Sequence, residues 1–394
     1  MTKTNKGTGT IWRTTALLAG ATSLLAAPFA TEVRLKPASQ SLTDTWQSLP
    51  IEPRHSTQLG ISFRTPQIEA LRLDMRSTLE TLLTYPFELI RLGAYWKRIE
   101  PEPGAFRTDE LDWQIEAAER AGKQIILCLG PLKTFSYPEF FTPEHYLPHP
   151  FPNHTRVKPD AYPTLLAAAT AFITRLLKRY REHKSIIAWQ LEHEAVDPLG
   201  IEHSWRLDTS FVEQEMKAVR EVDPGRPILL NGFLPTSLLV SLSQWWQTRD
   251  QGDSLDVAQQ MADIVGIDYY PRHALVALGK RTVYLDGSKS YWWQQRRLRR
   301  LFSQTHSQRQ KLMISEGQAE PWEAITIPPN PRGQGMSSCL PEHIITNYNT
   351  CMRWPQKRGL LSAYLFWGAE YWILRQQYSD PSYLQAFARI LEQA

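Results

Sequence analysis

Residues 186–194 read Ile-Ile-Ala-Trp-Gln-Leu-Glu-His-Glu, an apolar run that ends in two acids and a histidine. Such a run is typical of a strand that is buried on both faces, as in a parallel sheet. A second apolar stretch, residues 311–315, leads in the same way into Glu316. We therefore interpret both stretches as strands whose ends deliver carboxylates to one site.

Strand-like stretches of this kind alternate with helical patterns along most of the chain. The predicted strands cover residues 58–63, 87–92, 123–129, 186–191, 227–230, 263–270, 311–315 and 361–367. Eight strand–helix units in a chain of 394 residues favour a closed (β/α)8 barrel, the TIM barrel of the α/β class, over a doubly wound sheet. No glycine-rich phosphate-binding motif follows the first strand, which argues against a nucleotide-binding fold. We expect no cofactor.

The N-terminal residues differ in character from the rest. Lys3, Lys6 and Arg13 precede an apolar run from Ala16 to Ala27, which is the arrangement of a signal peptide. The run is short for a membrane span of about 20 residues. We therefore expect residues 1–30 to direct export to the periplasm or the exterior; an uncleaved segment that anchors the protein to a membrane, or a disordered tail, is the alternative.

The remaining chain divides into two parts. Residues 31–57 mix proline, serine, threonine and charges without periodicity, and we interpret them as a linker or arm. Residues 58–394 then form a single barrel domain, which we expect to be monomeric.

The composition restricts the class of partner. A net charge of +4 over 394 residues, with 42% hydrophobic and 21% charged residues, is that of a globular protein and not of one that binds nucleic acid. The histidines are scattered, and no paired-histidine motif lies on the first strand. The sequence therefore disfavours a metal-dependent hydrolase and predicts no metal site.

Polar and aromatic residues converge at the C-terminal ends of the predicted strands, where TIM barrels place their active sites. Arg91, Glu194, Tyr270, Glu316 and Trp367 all fall there. Hydrolysis of a glycosidic bond requires two carboxyl groups, one to protonate the departing oxygen and one to attack the sugar or activate water. The pattern therefore suggests a glycosidase.

The chain resembles the retaining glycoside hydrolases of clan A, the (β/α)8 group that includes cellulases, β-mannanases and β-galactosidases. Four stretches carry the resemblance: residues 90–104 (IRLGAYWKRIEPEPG), 189–194 (WQLEHE), 266–271 (GIDYYP) and 314–322 (ISEGQAEPW). In order and spacing they match the second, fourth, sixth and seventh strands of that group. The resemblance extends over nearly the whole chain from about residue 58.

The resemblance implies roles for particular residues. Glu194 takes the position of the acid/base and Glu316 that of the nucleophile, with their carboxyls about 5–5.5 Å apart. Arg91 would keep Glu316 ionised, and Tyr270 would hydrogen-bond it. The candidate sugar-stacking side chains are Trp367, Trp96, Trp322 and Tyr371, and core packing is the alternative for the last three.

The sequence departs from the family at a few positions. The asparagine that precedes the acid/base, and contacts the sugar 2-hydroxyl, is His193 here, which either binds substrate or makes a structural hydrogen bond. Asp268 stands where asparagine is common. Residues 137–139 (Tyr-Pro-Glu) replace a Trp-Pro-Glu element.

Other acids compete for the two roles. Glu192 is the second choice for the acid/base, because alternation of side chains in a strand places it on the same face as Glu194. Glu320 and Glu370 are weaker rivals, and a surface or substrate-contacting position is the alternative for both. The resulting prediction is a retaining hydrolase of a β-linked oligo- or polysaccharide; a barrel that binds glycans without cleaving them is the alternative.

Overall fold

The computed structural model describes residues 32–136, 139–148, 151–197, 205–288, 292–354 and 361–394. The predicted segment of residues 1–30 lies outside these ranges, as do Tyr137 and Pro138. Eight parallel strands form a closed barrel in which each strand pairs with its neighbours in sequence and the last pairs with the first. They are β1 (Gln58–Ser62), β2 (Leu89–Gly93), β3 (Gln124–Cys128), β4 (Ile186–Gln190), β5 (Ile228–Phe233), β6 (Ile264–Tyr269), β7 (Lys311–Gln318) and β8 (Ala363–Trp367). The predicted (β/α)8 barrel is confirmed.

Helices surround the barrel. In the described ranges they are α1 (Thr65–Ala70), α2 (Met75–Leu83), α3 (Trp96–Ile99), α4 (Asp109–Arg120), α5 (Pro163–Tyr180), α6 (Thr209–Val222), α7 (Leu238–Thr248), α8 (Ser254–Met261), α9 (Trp292–Ser307), α10 (Pro341–Met352), α11 (Ala369–Gln377) and α12 (Ser382–Gln393). Two short 3-10 turns span Asp44–Gln47 and Glu144–Tyr146. Among the described residues, no helix is both long enough and apolar enough to cross a bilayer.

Side-chain alternation divides each strand between the barrel interior and the surrounding helices. In β2, Leu89 packs in an interior apolar layer, whereas Ile90 and Leu92 join the core beneath the helices. The interior layer is completed by Ile126, Ala188, Leu229, Ile264, Met313, Ala363 and Leu365. The next inward positions along these strands include Arg91, Gln190, Asn231 and Ser315, so the middle of the barrel is polar.

A small antiparallel sheet lies outside the barrel. Its strands are Val33–Pro37, Arg281–Asp286 and Arg272–Leu278, in that order across the sheet, and we call it the outer sheet. A further strand, Ser39–Ser41, pairs with Gln334–Met336, and Arg156–Val157 pairs with Arg206–Leu207. The segment predicted as a linker or arm thus contains two strands that bind distant parts of the chain.

Candidate active site

Glu316 is held by two residues at the C-terminal end of the barrel. Arg91 Nη1 lies 2.6 Å from Glu316 Oε1, and the Tyr270 hydroxyl donates to Glu316 Oε2 at 2.5 Å. All three side chains are buried. The pairing of β7 with β8 is irregular between Ile314 and Gly317, and such irregularities re-aim side chains near active sites. Ser315 and Glu316 therefore both make hydrogen bonds inside the barrel although they are adjacent in sequence.

Glu194 lies just past β4 on a backbone held from two sides. Its φ of 43° is in the left-handed region, which is uncommon for a residue with a side chain. The buried Lys133 ammonium donates to the Glu194 carbonyl oxygen at 2.7 Å and to that of Asp197 at 3.0 Å. The Glu194 amide faces the Asn231 Oδ1 at 3.4 Å. These contacts stabilise a turn that directs the Glu194 carboxyl into the site.

The surroundings of the two glutamates differ in charge. Burial and then the neighbouring carboxylates, Asp268 first among them, raise the pKa of Glu194 well above its ordinary value. Burial also raises the pKa of Glu316, but Arg91 and the Tyr270 hydroxyl oppose that rise. A cation contacts Glu316, whereas acids surround Glu194. Glu194 therefore keeps its carboxyl proton more readily, and Glu316 is the more readily ionised of the two.

Asp268 completes an acidic group that the sequence did not single out as part of the site. Its carboxyl is the first of the charged neighbours that raise the pKa of Glu194, and it accepts the Ser315 hydroxyl at 2.7 Å. Burial and then Glu316 raise the pKa of Asp268 well above its ordinary value. Ionisation of either carboxyl places a negative charge beside the other, which favours the acid form of Glu194.

His193 is fixed by Asn231, a residue that the sequence analysis missed. The Asn231 amide nitrogen donates to His193 Nδ1 at 2.9 Å and also to Asp268, while the Gln190 amide donates to Asn231 Oδ1 at 2.9 Å. His193 Nδ1 lies 3.4 Å from Glu316 Oε1. Burial, followed by the charges of Arg91 and Lys133, lowers the pKa of His193 well below its usual value. The imidazole is therefore neutral, and an Nδ1 that accepts leaves the proton on Nε2.

Glu192 makes its hydrogen bonds away from Glu194 and Glu316. Its carboxylate accepts the backbone amides of Leu132 and Lys133 at 3.1 and 2.5 Å, and its other neighbour is the carboxyl of Glu215 on α6. The chain turns after β4 ends at Gln190, so the strand alternation that placed Glu192 beside Glu194 does not continue. Glu192 anchors the loop after β3, and the structure supports Glu194 over this rival.

Glu320 and Glu370 have a shared partner elsewhere. The Arg64 guanidinium binds Glu320 through two hydrogen bonds of 2.7 and 2.8 Å, and it also binds the buried Glu370. Both acids are thereby committed to holding the end of β1 against the segments that follow β7 and β8. Neither is placed to replace Glu316.

The aromatic candidates separate into two groups. Trp367 is at the mouth, with the Arg64 guanidinium 4.1 Å from its ring centroid, and Trp322 is about half exposed beside Tyr270 at 5.5 Å between ring centroids. Trp96 is fully buried, stacks on Tyr146 and bonds Glu100. Trp96 therefore belongs to the core and not to the sugar-binding surface, because the helix α3 that carries it turns the ring inward.

Tyr371 is a core residue as well. It is buried on α11 and packs edge-on against Tyr383 of α12. Of the candidate stacking residues, Trp322 and Trp367 remain.

A cluster of aromatic side chains includes Tyr270, the hydrogen-bond partner of Glu316. Phe135, Phe233, Tyr270 and Trp367 form one buried cluster, against which Val240 of α7 packs. Glu194, Glu316 and His193 are all below 5% exposed. These three side chains are therefore nearly inaccessible to solvent in this conformation.

Two groups of side chains bring metal-ligand atoms within 4.8 Å of one another in the described part of the chain: Glu139, His193 and Glu194, and His193, Asp268 and Glu316. Each group already contacts a protein cation. Lys133 lies 3.3 Å from Glu139, and Arg91 neutralises Glu316. These resident positive charges oppose the binding of a divalent ion.

A comparison with protein families relates part of the chain to glycoside hydrolases. Residues 74–205, about a third of the chain, match the model of glycoside hydrolase family 42, described as Beta-galactosidase. The resemblance to glycoside hydrolases of clan A is confirmed. A search of curated proteins gave no match.

Solved structures share the fold at low sequence identity. GH5_18 from Streptomyces cattleya, in complex with GlcNAc, is 12% identical with a TM-score of 0.56, and the alignment covers 86% of this chain and 80% of that one. Gan42B, a GH42 β-galactosidase, is 13% identical with a TM-score of 0.52, and the alignment covers 91% of this chain but 57% of that one. The present chain therefore spans little more than half of that β-galactosidase.

Proposed function

We propose that this protein hydrolyses a β-linked carbohydrate with retention of configuration, with Glu194 as acid/base and Glu316 as nucleophile. The observation that carries the proposal is the contrast between the two carboxyls. Glu316 has an arginine and a tyrosine hydroxyl on its two oxygens, whereas Glu194 has a carboxyl partner. One carboxylate ready to attack and one acid ready to protonate are the two groups that a retaining glycosidase requires.

The neutral His193 supports substrate binding in this proposal. Its Nδ1 is occupied by Asn231, so its Nε2–H is the donor left for a sugar hydroxyl. Trp367 and Trp322 supply apolar ring surface at the mouth for the sugar C–H groups. The donor and the rings would together position the sugar over Glu316.

The comparisons suggest which sugars to test first. The matching family model is described as Beta-galactosidase, and a variant of the Streptomyces cattleya protein was solved with Manb1-4GlcNAc. Aryl β-galactosides and β-mannosides therefore head a panel that also includes β-glucosides, β-xylosides, β-glucans and mannans.

The test compares the wild-type protein with Glu194→Gln, Glu316→Ala and the exposed-loop control Glu102→Gln on this panel. We expect Glu316→Ala to abolish hydrolysis and Glu194→Gln to lower kcat by about 10²–10⁴-fold, with the control unchanged. Wild-type activity that survives in Glu316→Ala would refute the mechanism. Activity that is lost in EDTA and restored by a divalent ion would instead assign the site to a metal.

The enclosed site favours a second candidate, a barrel that binds glycans without cleaving them. The carboxyls are nearly inaccessible, and Trp322 at the mouth is exposed. Binding of an oligosaccharide from the panel, measured by calorimetry, in the absence of any hydrolysis would establish this function and exclude the first.

A further inference from the structure

The helix α7 has an inverted distribution of side chains. Its buried residues, Gln244 and Thr248, are polar, whereas Trp245 and Trp246 are 61% and 62% exposed and Leu242 is also exposed. A surface helix normally buries its apolar stripe and exposes its polar one. Two adjacent exposed tryptophans with a leucine on one helix therefore indicate a surface that contacts something else.

The outer sheet presents a second exposed apolar surface. Leu35, Val283 and Val276 lie in one row across its three strands, because Val283 is in register with both of the others. Alternation places Leu278 on the same side as Val276, and both are about half exposed, as is Leu275 in the adjacent irregular part of the strand. This side of the sheet has no covering element among the described residues.

The two surfaces are joined through the start of the described chain. The Glu32 carboxylate accepts the Ser237 hydroxyl at 2.5 Å and the Leu238 amide at 3.2 Å, at the first turn of α7. The next residue, Val33, begins the first strand of the outer sheet. We call these surfaces together the apolar face; its exposed members are Leu35, Leu242, Trp245, Trp246, Leu275, Val276 and Leu278.

The charges beside the apolar face are mainly positive. Lys280 and Arg281 are exposed at the turn of the outer sheet, where Arg281 is in register with Leu278, and the Arg249 guanidinium lies 3.7 Å from the ring centroid of Trp246. The acids nearby, Asp250 and Asp286, are ion-paired with Arg206 and Arg272. The face thus combines tryptophan, leucine and cations that have no acidic partner among the described residues, the composition of surfaces that lie on anionic lipid.

We propose that the apolar face docks the protein onto the surface of an anionic phospholipid bilayer. The described structure begins at Glu32, which contacts the first turn of α7, and the sequence before it contains the apolar run from Ala16 to Ala27 with Lys3, Lys6 and Arg13 ahead of that run. The N-terminal segment and the apolar face both carry positive charge. They therefore repel each other, and both are attracted to an anionic surface. The proposal is independent of the catalytic activity.

A glycan is a poorer match for the same surface. The rings of Trp245 and Trp246 are tilted by 58° at a centroid distance of 6.4 Å, so they do not form one flat platform for sugars. The remaining members of the face are aliphatic. Aliphatic side chains enter the acyl boundary readily, whereas sugar stacking uses ring faces.

The experiment measures flotation of the full-length protein with vesicles of 30% phosphatidylglycerol in phosphatidylcholine, and with phosphatidylcholine alone. Two variants alter the face, Trp245→Ser with Trp246→Ser and Leu275→Ser with Leu278→Ser, and Lys280→Glu with Arg281→Glu alters the charge. Tyr378→Ser removes an exposed aromatic residue elsewhere and is the matched control. Melting curves by circular dichroism verify that each variant is folded.

We expect each face variant to lower partition onto the anionic vesicles by about tenfold or more. The charge variant should lower binding to anionic vesicles alone, and the control should bind as the wild type. Equal binding of all variants would overturn the proposal, since the N-terminal segment would then account for binding by itself. Unchanged vesicle binding with lost retention on a polysaccharide gel would overturn it in favour of a glycan surface.

Discussion

The pairing of the Glu194 and Asp268 carboxyls is the residue-level feature that favours the protonated form of Glu194. Asp268 is the strongest charged contributor to the raised pKa of Glu194. Asn231 and Ser315 hold Asp268 in place from two sides. The acid form of Glu194 at neutral pH is therefore a property of a small network and not of one side chain.

Substitution of Asp268 by asparagine tests this network. The change removes a negative charge beside Glu194, so the pKa of Glu194 falls and the alkaline limb of the kcat/KM profile moves to lower pH. One pKa unit corresponds to about 1.4 kcal/mol, and we expect a shift of about one pH unit. Ser315→Ala, which removes a hydrogen bond to Asp268 and no charge, should shift the limb less. An alkaline limb that stays in place in Asp268→Asn would show that another group is the acid.

The sequence predicted the residues that follow a buried strand directly, and it missed those that act through distant contacts. Arg91, Tyr270 and Glu316 lie at strand ends and contact one another as expected. Lys133 and Asn231 gain their roles only from the backbone turn at Glu194 and from the closure of the barrel. One signal was present, since Asn231 is a polar residue that ends an apolar strand.

Among the elements, the end of β1 is tied to the segments after β7 and β8 by Arg64. Its guanidinium contacts Glu320 and the buried Glu370 and covers one face of Trp367. An arginine that binds two carboxylates in this way fixes the relative position of three barrel segments. Trp367 is positioned through the same contact.

Arg64→Met should leave these carboxylates without their cation. Breaking a buried ion pair from one side costs about 3–5 kcal/mol, and we expect a loss of that size in the free energy of unfolding in urea at pH 7. The exposed pair of Arg353 and Glu52 provides a control, since Arg353→Met should cost less than about 1 kcal/mol. Addition of Glu370→Gln to Arg64→Met should restore part of the stability. Equal losses for the two arginine variants would contradict this account.

All eight barrel strands were predicted from apolar runs, and the outer sheet was not. The runs are local signals of burial, and barrel strands pair with their neighbours in sequence. The first strand of the outer sheet instead pairs with Arg281–Asp286, about 250 residues away. A local pattern in residues 31–57 cannot indicate a partner strand at that distance along the sequence.

At the scale of the whole molecule, buried acids make stability depend on pH. Burial raises the pKa of Glu192 to about 7, and burial with the charge of Asp253 raises that of Asp197 to about 7. A folded-state pKa above the unfolded value means that the stabilisation is complete in acid and is lost as the pH rises through 7. The fold should therefore be more stable at pH 5 than at pH 8.5.

Glu215→Gln should reduce this dependence. Burial and then the neighbouring Glu192 carboxyl raise the pKa of Glu215, and an amide in its place can donate to Glu192 at any pH without adding a charge. We expect the variant to melt roughly 2–4 °C above the wild type at pH 8.5 and close to it at pH 5. Glu213→Gln, on the exposed side of the same helix, is the control. A melting difference that is the same at both pH values would rule out titration of the pair as the cause.

The assignment of Glu194 and Glu316 is tested most directly by azide rescue of their alanine variants on an aryl β-glycoside with a good leaving group. In Glu194→Ala the sugar still forms an ester with Glu316, so azide should restore turnover and yield the β-glycosyl azide by proton NMR. In Glu316→Ala azide should attack the substrate directly and yield the α-glycosyl azide. An α product from Glu194→Ala, or full activity without azide in either variant, would contradict the proposed retaining mechanism.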